Sequence, residues 1–104
     1  MEEVRLLRFE IRFSPHAREH INDLRKRDQQ IIVKAISVHL QHQPDQPTRN
    51  RKPLTEKSFA LWELRVGDFR VFYDVNPEQN QVVIVAVGKK RHNGLWIGNE
   101  KVEL

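Results

Sequence analysis

Arg65 and Arg70 flank a Gly67-Asp68 pair, and a second basic cluster, Lys89-Lys90-Arg91, closes the later apolar run Val82-Val83-Ile84-Val85-Ala86-Val87. Guanidinium groups are always charged and can contact phosphate or carboxylate through two parallel hydrogen bonds, so such clusters suit anion binding. In a strand, residues two apart share a face, which sets Arg70, Phe72 and Asp74 on one side and Phe69, Val71 and Tyr73 on the other. Arg70 therefore leaves a strand interior. Alone, it reads as an arginine snorkelling from the wet face of a sheet. If the next antiparallel strand brings Lys89-Lys90-Arg91 beside it, the two clusters form a cationic floor. A further basic run, Arg49-Asn50-Arg51-Lys52, reads as a solvated loop able to make non-specific phosphate contacts. His16 and His20 have the i, i+4 spacing of a metal-binding pair, but no third ligand is apparent, so a solvated helix face is expected. Trp62 and Tyr73 read as core or sheet-face packing.

The chain has 104 residues, 18 Lys+Arg against 14 Asp+Glu for a net charge of +4, and no cysteine. One domain spanning residues 1–104 is expected, burying roughly 60–70% of the surface its unfolded chain would expose. The absence of cysteine excludes disulfides, thiolate zinc sites and cysteine nucleophiles. No apolar run approaches the roughly 20 residues of a membrane span, and the first dozen residues alternate charged with apolar side chains, unlike a signal peptide. A soluble, cytoplasmic protein with no membrane association is expected. The modest positive charge favours an acidic or polyanionic partner.

The elements that must position these residues follow from periodicity. Leu7, Phe9, Ile11 and Phe13 alternate with Arg8, Glu10 and Arg12, predicting an opening strand. Ser14-Pro15 reads as a helix N-cap with proline at the first helical position, and Ala17, Ile21 and Leu24 supply that helix's buried stripe. Asp28 is expected to cap a second helix with core residues Ile32, Ala35, Ile36 and Leu40. Gln41 to Ser58, with Pro44, Pro47 and Pro53, reads as a loop. Phe59–Arg65 and Phe69–Asp74, joined by Gly67-Asp68, predict a hairpin, and Pro77-Glu78-Gln79-Asn80 a turn into a buried strand over Gln81–Val87. Leu95-Trp96-Ile97 is too apolar for a linker and either adds a short strand or docks on the sheet. The order β-α-α-β-β-β implies an α+β fold, two antiparallel helices packed on one face of a small antiparallel sheet.

The string Arg51-Lys52-Pro53-Leu54, then Leu61 through Val75, then Val85-Ala86-Val87-Gly88-Lys89-Lys90-Arg91 resembles the RelE/ParE toxin superfamily of bacterial toxin–antitoxin modules. The resemblance runs in order and spacing from Phe13-Ser14-Pro15 to His92. It implies the same fold, and a toxin neutralised by a small acidic antitoxin. RelE-like members cleave mRNA in the ribosomal A site, with ribosome and mRNA as partners; ParE-like members inhibit DNA gyrase without acting as enzymes. RNA cleavage needs a base for the 2′-hydroxyl, cations for the phosphorane and an acid for the leaving 5′-oxygen.

The resemblance places Arg65 and Arg70 where RelE-like enzymes carry functional arginines, and Lys90 at another catalytic arginine. Glu63 or His92 would handle protons, and Lys89, Arg91 and Trp96 would contact RNA, with Arg49, Arg51 and Lys52 as outlying contacts. Catalysis would be metal-free, with no cofactor. Two RelE lysines correspond to Leu61 and Glu63, and a tyrosine to Trp96, which has no hydroxyl to offer. These departures keep two other readings open, a gyrase-directed ParE-like toxin and a detoxified, antitoxin-binding member.

Overall fold

Alternation of apolar and charged residues produces β1, Glu10–Phe13, in a computed structural model that describes residues 8–92, 94–98 and 100–102. Phe9 is buried just ahead of β1, and Leu7, part of the expected strand, lies outside the described residues. Ser14 is the expected N-cap: its hydroxyl oxygen accepts the Ala17 N–H at 3.1 Å, and Pro15 opens α1, Pro15–Asn22. The same hydroxyl donates to the Val85 carbonyl at 2.9 Å, tying α1 to the sheet.

Helix α2 spans Lys26–Leu40 and buries Ile32, Ile36 and Leu40. It starts ahead of the expected cap. Arg25 occupies the N-cap position without a side-chain hydrogen bond, and Asp28 lies in the first turn. Lys26 and Arg27 are good helix formers, and the Asp28 carboxylate favours the positive end of the helix while pairing with Arg25 at 3.4 Å.

The remaining strands are β2 (Arg51–Pro53), β3 (Trp62–Val66), β4 (Phe69–Asn76), β5 (Gln81–Arg91), β6 (Gly94–Ile97) and β7 (Glu100–Val102). They pair antiparallel in the order β2-β3-β4-β5-β6-β7. The expected β3-β4-β5 meander is its centre, with β2 added from the proline-rich stretch and β6 and β7 from the tail. Gly67 opens the β3–β4 turn at φ +58°, a conformation that favours glycine. β1 joins the first half of β5 in parallel, Glu10 opposite Gln81 and Phe13 opposite Ile84, while β6 joins the other half from Lys89 onward. A parallel pair needs a long crossover, and two helices and three strands separate β1 from β5.

The sheet has apolar residues on both faces. On the inner face Leu64, Val71, Tyr73, Val82, Ile84 and Val87 pack with the buried side chains of α1 and α2. On the outer face Phe72, Ala86, Ala60 and Leu95 form a smaller cluster. A bulge fixes which residues face which way. Phe72 pairs with Ala86 but Tyr73 pairs with Ile84, leaving Val85 as an extra residue on β5. Inward-facing residues of β5 are thus even-numbered before Val85 and odd-numbered after it.

Candidate functional site

Arg65 and Arg70 stand directly opposite one another across the β3–β4 hairpin, and Glu63 is opposite Phe72. All three project from the outer face. Across β5, Arg70 pairs with Gly88, and the bulge sets Lys90, two residues farther on, on that same face. Glu63, Arg65, Arg70 and Lys90 therefore share one surface, as a cationic floor requires.

Arg70 is 6% exposed and so does not snorkel. One terminal nitrogen donates to the Gly67 and Phe69 carbonyls at 2.7 and 2.8 Å, while its buried Nε has no hydrogen-bond partner. Among the described residues no carboxylate lies within ion-pair distance of it. The hairpin turn thus orients a nearly buried positive charge. Arg65 is exposed beside it, and Glu63 is 9% exposed. A Cβ at Gly88 would lie 2.8 Å from the Trp96 carbonyl oxygen, so glycine is needed where β6 closes on β5.

The other expected residues divide between two places. Lys89 pairs with Trp96, and Arg91 follows two residues on, all on the inner face at the open end of α1. The Lys89 ammonium lies 5.4 Å from the centre of the Phe69 ring, a cation–π contact. His92 is exposed in the turn between β5 and β6, at φ +47°. Farther away, one terminal nitrogen of Arg51 donates to the His39 and His42 carbonyls at 2.6 and 3.3 Å, capping the C-terminal end of α2. That guanidinium is a structural clamp, whereas Arg49 and Lys52 are exposed as a solvated loop and edge would have them. Trp62 stacks on Tyr73 with ring centres 6.2 Å apart. The Tyr73 hydroxyl donates to the buried Pro44 carbonyl at 2.8 Å, and burial raises its pKa, so both aromatics serve packing.

His20 departs from the expected solvated face. Its Nδ1 accepts the Val87 N–H at 3.3 Å, filling a gap in the β5 edge between β1 and β6. Proline at the start of α1 and the 3.6-residue period placed the helix, but nothing in the sequence indicated which strand group this imidazole would meet. Burial, then the charge of His16, lowers the pKa of His20 against the opposing pull of Glu19 and Asp23. The unfolded chain therefore takes up this proton first as pH falls below 6.5, so the folded state has its full stability above that value and loses some below it. Urea unfolding at about pH 7.5 and about pH 5.5 should show a larger acid loss for the wild type than for His20→Gln. Equal losses would contradict the assignment.

A family model described as the ParE toxin of the type II toxin–antitoxin system parDE matches residues 11–94. The chain belongs to this toxin family. The match takes in Glu63, Arg65, Arg70, Lys90 and His92 and stops short of Trp96. The toxin is also similar to one chain of the RelBE2 toxin–antitoxin complex of Mycobacterium tuberculosis, with 25% identity, a TM-score of 0.72, and coverage of 85% of this chain and 98% of that one. It shares the fold of a chain from the archaeal RelE–RelB complex of Pyrococcus horikoshii, with 21% identity, a TM-score of 0.64, and coverage of 81% and 96%. No curated protein matches it significantly. The RelE/ParE fold and the membership of a toxin–antitoxin module agree with the resemblance read from the sequence. Among the described residues no helix is long and apolar enough to cross a membrane.

Proposed function

We propose that the toxin is a ribosome-dependent mRNA endonuclease acting in the cytoplasm through the outer face of its sheet. The observation that carries this reading is the gathering of Arg65, Arg70 and Lys90 with Glu63 on one surface. In this scheme the 2′-hydroxyl attacks the adjacent phosphate, the bond to the 5′-oxygen breaks, and a cyclic phosphate and a 5′-hydroxyl result. Glu63 takes the proton from the 2′-hydroxyl, and His92, in its exposed turn, supplies one to the leaving oxygen. Arg65 and Lys90 contact the phosphate. Arg70, already oriented by two carbonyls, contributes a preorganised charge to the phosphorane. Lys52, exposed opposite Glu63, and Arg49 contribute longer-range attraction to RNA.

The partner in the cell is a small acidic antitoxin. The solved relatives are toxin–antitoxin complexes, and two features here suit such a partner: the net charge of +4 and the apolar side chains Ile31, Val33 and Val38 exposed on α2, Val38 to 64%.

A gyrase-directed, non-enzymatic toxin is the second reading. It is favoured by Leu61, which is half-exposed where the resemblance expects a lysine, and by Trp96, which lies on the opposite face from Arg70. Induced expression with mapping of transcript 5′ ends, beside a supercoiling assay on purified protein, separates the two. Codon-phased cleavage with unaffected gyrase supports the endonuclease; growth arrest without cleavage overturns it.

A further inference from the structure

Residues 54–61 connect β2 to β3 as a closed loop against the outer face of the sheet. The loop is tied at its base, where the Leu54 N–H donates to the Leu61 carbonyl and the Leu61 N–H to the Asp74 carboxylate, both at 2.8 Å. Its tip is held by the Ser58 N–H, which donates to the Thr55 carbonyl at 3.0 Å. Leu54 and the buried Ala60 pack into the outer cluster, but Phe59 does not sink with them. It is 42% exposed, edge-on to Phe72 with ring centres 4.9 Å apart, and Leu61 is half-exposed. We propose that Phe59 is a stacking platform for one base of the RNA, beside the phosphate that Arg65, Arg70 and Lys90 contact. The inference rests on the endonuclease reading of this face and adds the residue that selects the base there.

Three observations carry it. The first is position. Phe72 stands directly opposite Glu63, and Arg70 lies two residues along β4 on the same face, roughly 7 Å away. Phe59, seated on Phe72, is therefore a neighbour of both the carboxylate and the buried cation. A strand whose phosphate meets Arg70 brings a base within reach of this ring.

The second is the charge around it. Arg70 is nearly buried with its Nε unpartnered, and among the described residues neither it nor Arg65 is paired with a carboxylate. An apolar ring beside such donors suits a ligand that is flat and apolar at one end and anionic at the other. The third is size. Two half-exposed apolar side chains offer far less than the roughly 800 Å² that each partner buries in a stable protein interface. A nucleobase needs only the π-face of one aromatic ring. The edge-to-face contact with Phe72 and the tied ends of the loop fix that ring before RNA arrives.

The test compares wild type, Phe59→Tyr and Phe59→Leu for cleavage of a defined mRNA on ribosomes, with KM and kcat fitted and 5′ ends mapped. Tyrosine keeps the π-face; leucine keeps an apolar contact with Phe72 but has no ring. Phe59→Tyr should retain the wild-type KM. Phe59→Leu should raise KM about tenfold or more, the scale of one base–aromatic stack. Its kcat should hold, because the lost contact is made equally in the ground and transition states. Any preference for a purine at one position near the cut should flatten in Phe59→Leu, since a purine offers the larger ring system to stack. Both variants should unfold at the wild-type temperature, as befits an exposed position. Equal KM for Phe59→Tyr and Phe59→Leu overturns the platform, whichever value they share. So does unchanged cleavage by Phe59→Leu with weakened inhibition of gyrase supercoiling, which assigns the ring to a protein contact. In both cases cleavage by wild type leaves the endonuclease reading standing; an intact message with wild type overturns the two together.

Discussion

Arg70→Ala is expected to lower mRNA cleavage by about a hundredfold or more, the scale seen when one preorganised donor to a transition-state charge is removed. The stability of the same variant should change little. Two terms oppose each other in the fold. Hydrogen bonds from the charged guanidinium to the Gly67 and Phe69 carbonyls contribute roughly 1.5–3 kcal/mol each. Against them stands the cost of holding a charge nearly buried, with no carboxylate in ion-pair distance among the described residues and its Nε unpartnered, which runs to several kcal/mol. The balance is close to zero, so the melting temperature of Arg70→Ala should stay within a few degrees of wild type. A purely structural arginine predicts the reverse: a large fall in melting temperature, with cleavage falling only as the folded fraction falls. Arg70→Lys retains the charge but loses the planar fork, and an intermediate rate is expected. If Arg70→Ala leaves growth arrest intact, Arg70 is not part of the machinery. If wild type itself is harmless, the detoxified reading holds instead.

The largest effect on stability is expected from Ile84→Ala. Ile84 is fully buried at the middle of β5, where β1 joins through Phe13 and β4 through Tyr73. Its side chain belongs to the cluster that binds both helices to the sheet. Truncating such a residue costs about 2–5 kcal/mol through lost burial and the cavity left behind. That is a large share of the roughly 5–15 kcal/mol that holds a domain together. Thermal unfolding should move down by roughly 10 °C or more, at about 4–8 °C per kcal/mol for a domain near this size. Val83→Ala, on the same strand but half-buried, should lose far less. A loss below about 1 kcal/mol at Ile84 would mean that β1 and the helices are not docked through it.

These two variants mark where the sequence was readable. The Ser14-Pro15 cap, the Gly67 turn and the apolar stripe of α2 were legible because each rests on local chemistry: a hydroxyl that accepts a helix N–H, a backbone that needs positive φ, a 3.6-residue repeat. The short strands β2, β6 and β7 were less so, since three or four residues carry too little alternation to stand out from loop. Arg51 looked like any other loop cation, and its clamp on the His39 carbonyl in the last turn of α2 depends on a contact twelve residues back.

The candidate site turned on one unreadable feature. In an unbroken strand Lys90 would share its face with Val82 and Ile84, toward the helices, and Lys89 would join Arg70. The extra residue at Val85 reverses this assignment. A bulge within a run of valine, isoleucine and alanine leaves no mark in the sequence, because each neighbour is equally apolar. The expected catalytic cations Arg65, Arg70 and Lys90 therefore stand on the outer face, apart from the expected RNA contacts Lys89, Arg91 and Trp96 on the inner face. The cationic floor is smaller than the charge count suggested.

The most direct test of the endonuclease reading is purified toxin added to ribosomes translating a defined mRNA, with the 5′ ends of the products mapped. The predicted result is codon-phased cleavage that requires the ribosome and is lost in Arg70→Ala. An intact message beside inhibited gyrase supercoiling would contradict it.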